Sequence, residues 1–164
     1  MVKKAVRIIK ISVTFLGVVF FLLFPQGLAL AAGATLSLSP STGTFNKGCN
    51  FSIDVVLNTG GARTAGSEAI VLYDSALFTV TSVKEGGIYA DFPGKDFESQ
   101  SGRVSLSGIS TVDSPFSGQG VLATIQFTVK NDAREGAAQI KFDFDSNNKS
   151  NTTDSNVADV DADE

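Results

Sequence analysis

The stretch from Gly118 to Lys130 constrains the fold of this chain more than any other. Apolar side chains occupy every second position, and mostly polar residues lie between them. A period of two with β-branched and aromatic residues on one side is typical of a strand that covers a hydrophobic core with one face. The predicted inward residues are Val121, Ala123, Ile125, Phe127 and Val129, and the predicted outward ones are Leu122, Thr124, Gln126, Thr128 and Lys130.

The same alternation recurs along most of the chain. It is clear from Phe51 to Leu57, from Ser67 to Tyr73 and from Ala138 to Phe144, where Ile140, Phe142 and Phe144 share a predicted face. About eight short strands follow one another at roughly 8–12-residue intervals, a spacing typical of antiparallel sandwiches. No segment has a helical period longer than two turns. The sequence therefore predicts an all-β fold, a β-sandwich with jelly-roll topology.

The chain divides into three predicted segments. Residues 1–31 resemble a secretory signal peptide, with a basic start, an apolar run over residues 11–24 and a small-x-small cleavage site at Ala29-Leu30-Ala31. An uncleaved membrane anchor is the alternative, and either one would place the rest of the chain outside the cytoplasm, secreted or at the cell surface. Residues 32–145 form the predicted sandwich. Residues 146–164 are predicted to be a polar acidic tail or loop that leads to a missing ninth strand, as in a fragment.

The composition argues against catalysis and against nucleic-acid binding. The chain has no histidine, so it has no Ser-His or Cys-His pair. The acidic cluster of Asp91, Asp96 and Glu98 is interpreted as a solvated loop. Removing the four basic residues of residues 1–31 from the total of 13 leaves nine against 17 acidic residues, a net charge of −8. Such a chain repels nucleic acid.

Three blocks of the sequence resemble cohesin modules, the receptors for dockerins in bacterial cellulosomes. They are the Gly-Gln-Gly-Val-Leu-Ala strand that begins at Gly118, the block from Phe51 to Leu57, and the block from Ala69 to Phe78 that contains Tyr73-Asp74. The resemblance implies a nine-stranded jelly roll that is extracellular and non-catalytic. It also implies a sheet face that binds a calcium-loaded dockerin, in polysaccharide degradation or in cell-surface assembly.

The resemblance also implies the position of the partner-binding residues. Glu68 stands where cohesins carry an acidic recognition residue, on the strand before Tyr73-Asp74. Ser105 and Ser107 should point toward the same face if Val104 and Leu106 point inward. Alternatively, these three polar residues are only solvated surface positions.

Two other functions are left open by the sequence. In a carbohydrate-binding module of the same fold, Tyr89 and Phe92 could stack on a sugar. In a larger cell-envelope protein, the sandwich could be purely structural.

One acidic motif resembles a calcium-binding loop. Asp143, Asp145, Asn147 and Asp154 occupy positions 1, 3, 5 and 12 of an EF-hand-like pattern, which lacks the glycine at position 6. We expect no cofactor in this chain. If calcium takes part, we expect the partner protein to bind it more than this chain does.

Overall fold

The alternating segments fold into nine strands in the computed structural model, which describes residues 33–98, 101–111, 113–144 and 155–160. These residues belong to one compact unit, Ala31–Glu164. The strands are β1 (Thr35–Ser39), β2 (Asn50–Asn58), β3 (Thr64–Leu72), β4 (Phe78–Glu85), β5 (Asp91–Phe97), β6 (Arg103–Ile109), β7 (Gln119–Val129), β8 (Lys141–Phe142) and β9 (Asn156–Asp159). The predicted signal segment, residues 1–31, lies outside the described residues.

The strands form two antiparallel sheets. One has the order β1-β2-β7-β4, and the other has the order β5-β6-β3-β8, with β9 also paired to β3. This arrangement confirms the predicted all-β sandwich with jelly-roll topology. Across the ranges that the structure describes, we find no helix long and apolar enough to cross a membrane.

Phe127, in the middle of β7, is at the centre of the core between the sheets. Its side chain is fully buried, and its ring stacks on Phe51 with 5.3 Å between centroids. Tyr73 packs edge-on against it at 5.4 Å, and Phe78 does so at 6.3 Å. Tyr73 extends from the second sheet, so this cluster joins the two layers. Burying such a ring contributes about 1.5–3 kcal/mol.

A β-bulge changes the predicted alternation at the start of β7. In the ladder between β2 and β7, Val55 pairs with Ala123 and Val56 pairs with Val121, so Leu122 has no opposite residue. The extra residue turns the Leu122 side chain into the core, where it is fully buried, and leaves Val121 half-buried. The prediction that Leu122 faces outward was wrong. From Ala123 to Val129 the predicted alternation is confirmed.

The prediction of a missing ninth strand was also wrong. Strand β9 lies within residues 146–164, where the sequence predicted only a polar tail or loop, and it pairs with β3 through Asn156, Val157, Ala158 and Asp159. Backbone hydrogen bonds hold this strand, and Val157 packs against the core. Because Val157 is its single large apolar residue, β9 has no alternating pattern to be recognised by.

Strand β8 is shorter than the sequence predicts. Only Lys141 and Phe142 pair with β3, and the Phe144 side chain is 67% exposed instead of sharing the inward face. Ile140 and Phe142 do pack against the core.

Ser155 fills the gap that β8 and β9 leave beside β3. The backbone N–H of Ile70 donates to Ser155 Oγ at 2.9 Å, and the Ser155 hydroxyl donates to the Ile70 carbonyl oxygen at 3.2 Å. The Ser155 side chain thus supplies the acceptor for the Ile70 N–H, while the Ile70 carbonyl oxygen also accepts from the backbone N–H of Asp143 at 2.8 Å.

Replacing Ser155 should weaken the fold. In Ser155→Ala the buried N–H of Ile70 loses its acceptor, and the free energy of unfolding should fall by about 1–3 kcal/mol. Urea denaturation followed by circular dichroism measures this change. The exposed Ser82→Ala substitution in β4 should change it by less than about 0.5 kcal/mol. Equal effects of the two substitutions would contradict the role of Ser155.

Gly86, at the end of β4, should tolerate no side chain. Its N–H donates to the Leu122 carbonyl oxygen at 2.8 Å, and a Cβ at this position would overlap the carbonyl oxygen of Val121. Gly86→Ala should therefore lower the free energy of unfolding by about 1–3 kcal/mol.

Gly87 provides a matched control, because a Cβ there would meet nothing within 4 Å. Thermal unfolding of Gly87→Ala should match that of the parent chain or rise slightly. If Gly86→Ala were as stable as Gly87→Ala, the close contact between β4 and the bulge would be refuted.

Candidate functional site

The three predicted recognition residues lie together on one sheet surface. Val104 and Leu106 of β6 are fully buried, and Ser105 and Ser107, which alternate with them, are half-exposed. The predicted inward orientation of Val104 and Leu106 is confirmed. Glu68 of β3 lies directly opposite Ser107 in the ladder between β3 and β6. Residues opposite each other in an antiparallel ladder point to the same side, so Glu68 shares the face of both serines.

We call this surface the outer face, because it points away from the core. It consists of the outward residues of β5, β6, β3 and β9. They are Asp91, Gly94, Asp96, Arg103, Ser105, Ser107, Ile109, Gly66, Glu68, Ile70, Leu72, Asn156 and Ala158.

Glu68 lies near the middle of the outer face. Ser107 is its neighbour on β6, and Asn156 is its neighbour on β9. Opposite side chains in such ladders have Cβ atoms roughly 5 Å apart, within reach of a shared ligand group. On the far side of β6, Asp96 lies opposite Ser105. The centre of the outer face therefore presents carboxylates and hydroxyls side by side.

Two glycines leave parts of the outer face without side chains. A Cβ at Gly94 would come within 2.9 Å of the Ser107 Cβ, and one at Gly66 would come within 2.9 Å of the Gly108 carbonyl oxygen. Side chains at these positions would crowd β6. With glycine and serine around Glu68, another backbone can approach the sheet closely.

The charges of the outer face are unevenly distributed. At one end Arg103 donates to Asp143 Oδ2 at 3.3 Å and, through Nε, to Ser105 Oγ at 3.4 Å. This ion pair is solvent-exposed, so it contributes only about 0–1 kcal/mol to stability, but it offsets the charge of Arg103. Glu68 near the middle and Asp91 and Asp96 on the edge strand β5 remain as the carboxylates. A partner surface rich in hydrogen-bond donors or positive charge matches this arrangement.

The outer face also has apolar positions. Ile109, at the end of β6, is 42% exposed and lies opposite Gly66. Ile70 lies opposite Ser105 on the outward side of β3, and yet it is buried. Glu68 therefore lies between Ile109, with Asp91 opposite it on β5, at one end and Arg103 at the other.

Tyr89, predicted as a stacking residue, is buried in the interior. Its hydroxyl is 3.2 Å from Thr64 Oγ1, and its ring packs edge-on against Phe116 at 6.0 Å between centroids. Phe92 is half-buried and packs against the same core. Because a sugar stacks only on a ring that solvent can reach, the Tyr89 ring offers no such surface in this structure.

The predicted calcium loop falls mostly on residues that the structure does not describe. Asp145, Asn147 and Asp154 lie outside the described residues, and Asp143 pairs with Arg103. Among the described side chains, no three acidic, cysteine or histidine residues come together to hold a metal ion. The calcium site therefore stays a prediction.

Several outer-face residues were missed in the sequence. The alternation that places Ser105 and Ser107 on the surface also places Arg103 and Ile109 there. The alternation of inward and outward positions along β6 could therefore have identified these two residues. Asp96 and Gly94 depend on the pairing of β5, and Asn156 depends on β9. No local pattern signals those two pairings.

The chain matches the family model of the cohesin domain over residues 35–162. No curated protein matches it. Among solved structures it is similar to the OlpA cohesin of Clostridium thermocellum, solved in complex with Doc918, with a TM-score of 0.57 and 19% identity over 67% of this chain and 81% of that one.

Two cohesins of Acetivibrio cellulolyticus are also similar. The sixth cohesin of scaffoldin B, in complex with a Cel5 dockerin mutant, has a TM-score of 0.55 and 25% identity over 66% of this chain and 80% of that one. The second type II cohesin of the adaptor scaffoldin ScaA has a TM-score of 0.57 and 16% identity over 77% and 79%. These structures share the fold described above. Because the family model covers well over half of the sequence, this chain belongs to the cohesin domain family.

Proposed function

We propose that this chain is a non-catalytic, extracellular recognition module whose outer face binds a dockerin-type protein. The observation that carries the proposal is the composition of that face. Glu68 lies among small residues on a surface of paired strands, with hydroxyls and a second carboxylate beside it. Membership of the cohesin family supports the same function, as do the similar cohesins that were solved with dockerins.

The geometry favours docking of a helix against the sheet. Gly94 and the two serines leave only small side chains on the β6 side of Glu68, so a helix can approach there until its own side chains contact the strands. Close approach removes water and buries apolar area, which supplies most of the affinity in protein interfaces. Ile109 provides an exposed apolar contact at one end of the same surface.

Glu68 would supply specificity in this arrangement. Its carboxylate accepts hydrogen bonds and cannot donate them, so it favours partners that present lysine, arginine or amide groups at the matching position. A partner with a carboxylate there would place two like charges in a partly desolvated contact. Ser105 and Ser107 can both donate and accept, which suits polar groups of either kind.

The cellular setting in this proposal is extracellular. The signal-like residues 1–31 support secretion or surface attachment of the sandwich. The proposal includes a role in polysaccharide degradation or cell-surface assembly, which the resemblance to cohesins implied. In this scheme calcium is bound by the dockerin.

Charge reversal at Glu68 tests the proposal. Glu68→Lys should weaken binding of a calcium-loaded dockerin from the same organism by about 10- to 100-fold. The substitution replaces a hydrogen-bond acceptor by a positively charged donor, which repels the positive groups expected on the partner. Isothermal titration calorimetry measures the dissociation constant. A chelator should abolish binding by the unchanged chain, because it removes calcium from the dockerin.

Asp132→Lys is the matched control, since it makes the same change of charge at an exposed turn after β7. Its affinity should stay within about twofold of the parent value. If both variants lose affinity equally, binding depends on overall charge and not on the outer face. If no dockerin binds the parent chain, a structural role in a larger envelope protein becomes the better account.

A further inference from the structure

A cleft lies at one end of the sandwich, away from the outer face. Its walls are residues 40–45 and 47, which connect β1 to β2, and residues 133–138 and 140, which follow β7. Its volume of about 560 Å³ is within the range of roughly 300–1,000 Å³ that is typical of small-molecule sites. None of the outer-face residues lines it.

The floor of the cleft is apolar. The ends of β1, β2 and β7 contribute Leu38, Ile53 and Val129, and Leu77 before β4 completes the surface. These side chains belong to the core or pack against it, so the floor is rigid. A ligand with an apolar face gains free energy by displacing water from such a surface.

Phe45 gives the cleft an exposed aromatic ring. Its side chain is 41% exposed, although it stacks on Phe51 with 4.0 Å between centroids and 14° between ring planes. Phe51 stacks in turn on the buried Phe127. The tip of the Phe45 ring lies against Gly43, where a Cβ would overlap it. The ring is therefore held in place by the core on one side and by a glycine at its tip.

The rim of the cleft carries hydrogen-bonding groups of every kind. Lys47 can donate, and so can Arg134, which also pairs with Asp74 at 3.4 Å. Glu135 accepts, and three hydroxyls do both, those of Ser41, Thr42 and Thr44. The charges have both signs, so the rim does not select a strongly charged ligand. A neutral molecule with many hydroxyls would use such a mixture fully.

We propose that this cleft binds a neutral saccharide. A sugar ring has an apolar face of C–H groups, which fits the Phe45 ring, and a perimeter of hydroxyls, which fits the rim. An acyl chain would leave the six polar rim residues facing a ligand that cannot bond them. The cleft and the outer face share no residue, so this inference stands whether or not a dockerin binds.

Titration with soluble oligosaccharides tests the proposal. Backbone amide NMR signals of the chain are recorded with cellohexaose, xylohexaose and mannohexaose as probes. We expect saturable shifts from at least one sugar, confined to the residues that line the cleft, in its two walls and its apolar floor. Phe45→Ala should raise the dissociation constant by about tenfold or more, because the stacking surface is lost.

Phe144→Ala is the matched control, since Phe144 is 67% exposed and does not line the cleft. Its affinity should equal that of the parent chain. Glu135→Ala provides a second variant, because this exposed residue touches the cleft without supporting Phe51, and it should also weaken sugar binding.

Three results would overturn the proposal, and the third concerns the two phenylalanine variants. One is the absence of saturable shifts with all three sugars at millimolar concentration. The other is binding of dodecanoate in the cleft without binding of any sugar, which would assign it to amphiphiles. Equal losses in Phe45→Ala and Phe144→Ala would likewise exclude the cleft as the site.

Discussion

Burial of one side of each long strand is the constraint on which this structure depends. The two sheets meet through side chains that recur at every second position, and the stacked rings of Phe51 and Phe127, with Tyr73 edge-on, join the layers. Because the Ala69 and Leu106 side chains point into the core, the strand geometry turns Glu68 and the serines beside Leu106 outward. The surface that we propose for recognition is thus a consequence of how the core is packed.

This constraint explains how much could be predicted from the sequence. Long alternating strands such as β2 and β6 were recognisable, and so was the outward direction of Ser105 and Ser107. The bulge at Leu122 was not, because one unpaired residue shifts the parity without any local signal. Strand β9 could not be recognised because backbone hydrogen bonds to β3 hold it in place, and such bonds leave no alternating pattern in the sequence. Tyr89 looked like a loop aromatic, but its hydroxyl finds a buried partner in Thr64, so the ring can turn inward.

The molecule separates two kinds of surface. The outer face has many small side chains and several carboxylates, and it suits a partner that covers a wide area. The cleft is concave, with a fixed aromatic ring and mixed polar groups, and it suits a small ligand. If both are used, one module holds a protein and a sugar at the same time without competition, since no residue is common to them.

The central claim is that the outer face is the surface that meets the protein partner. Cross-saturation NMR on a complex of this chain with a calcium-loaded dockerin tests it most directly. We expect the amide signals of β3 and β6, around Glu68 and Ser107, to lose intensity when the dockerin protons are saturated. Intensity loss confined to β2 and β7, on the opposite sheet, would contradict the account.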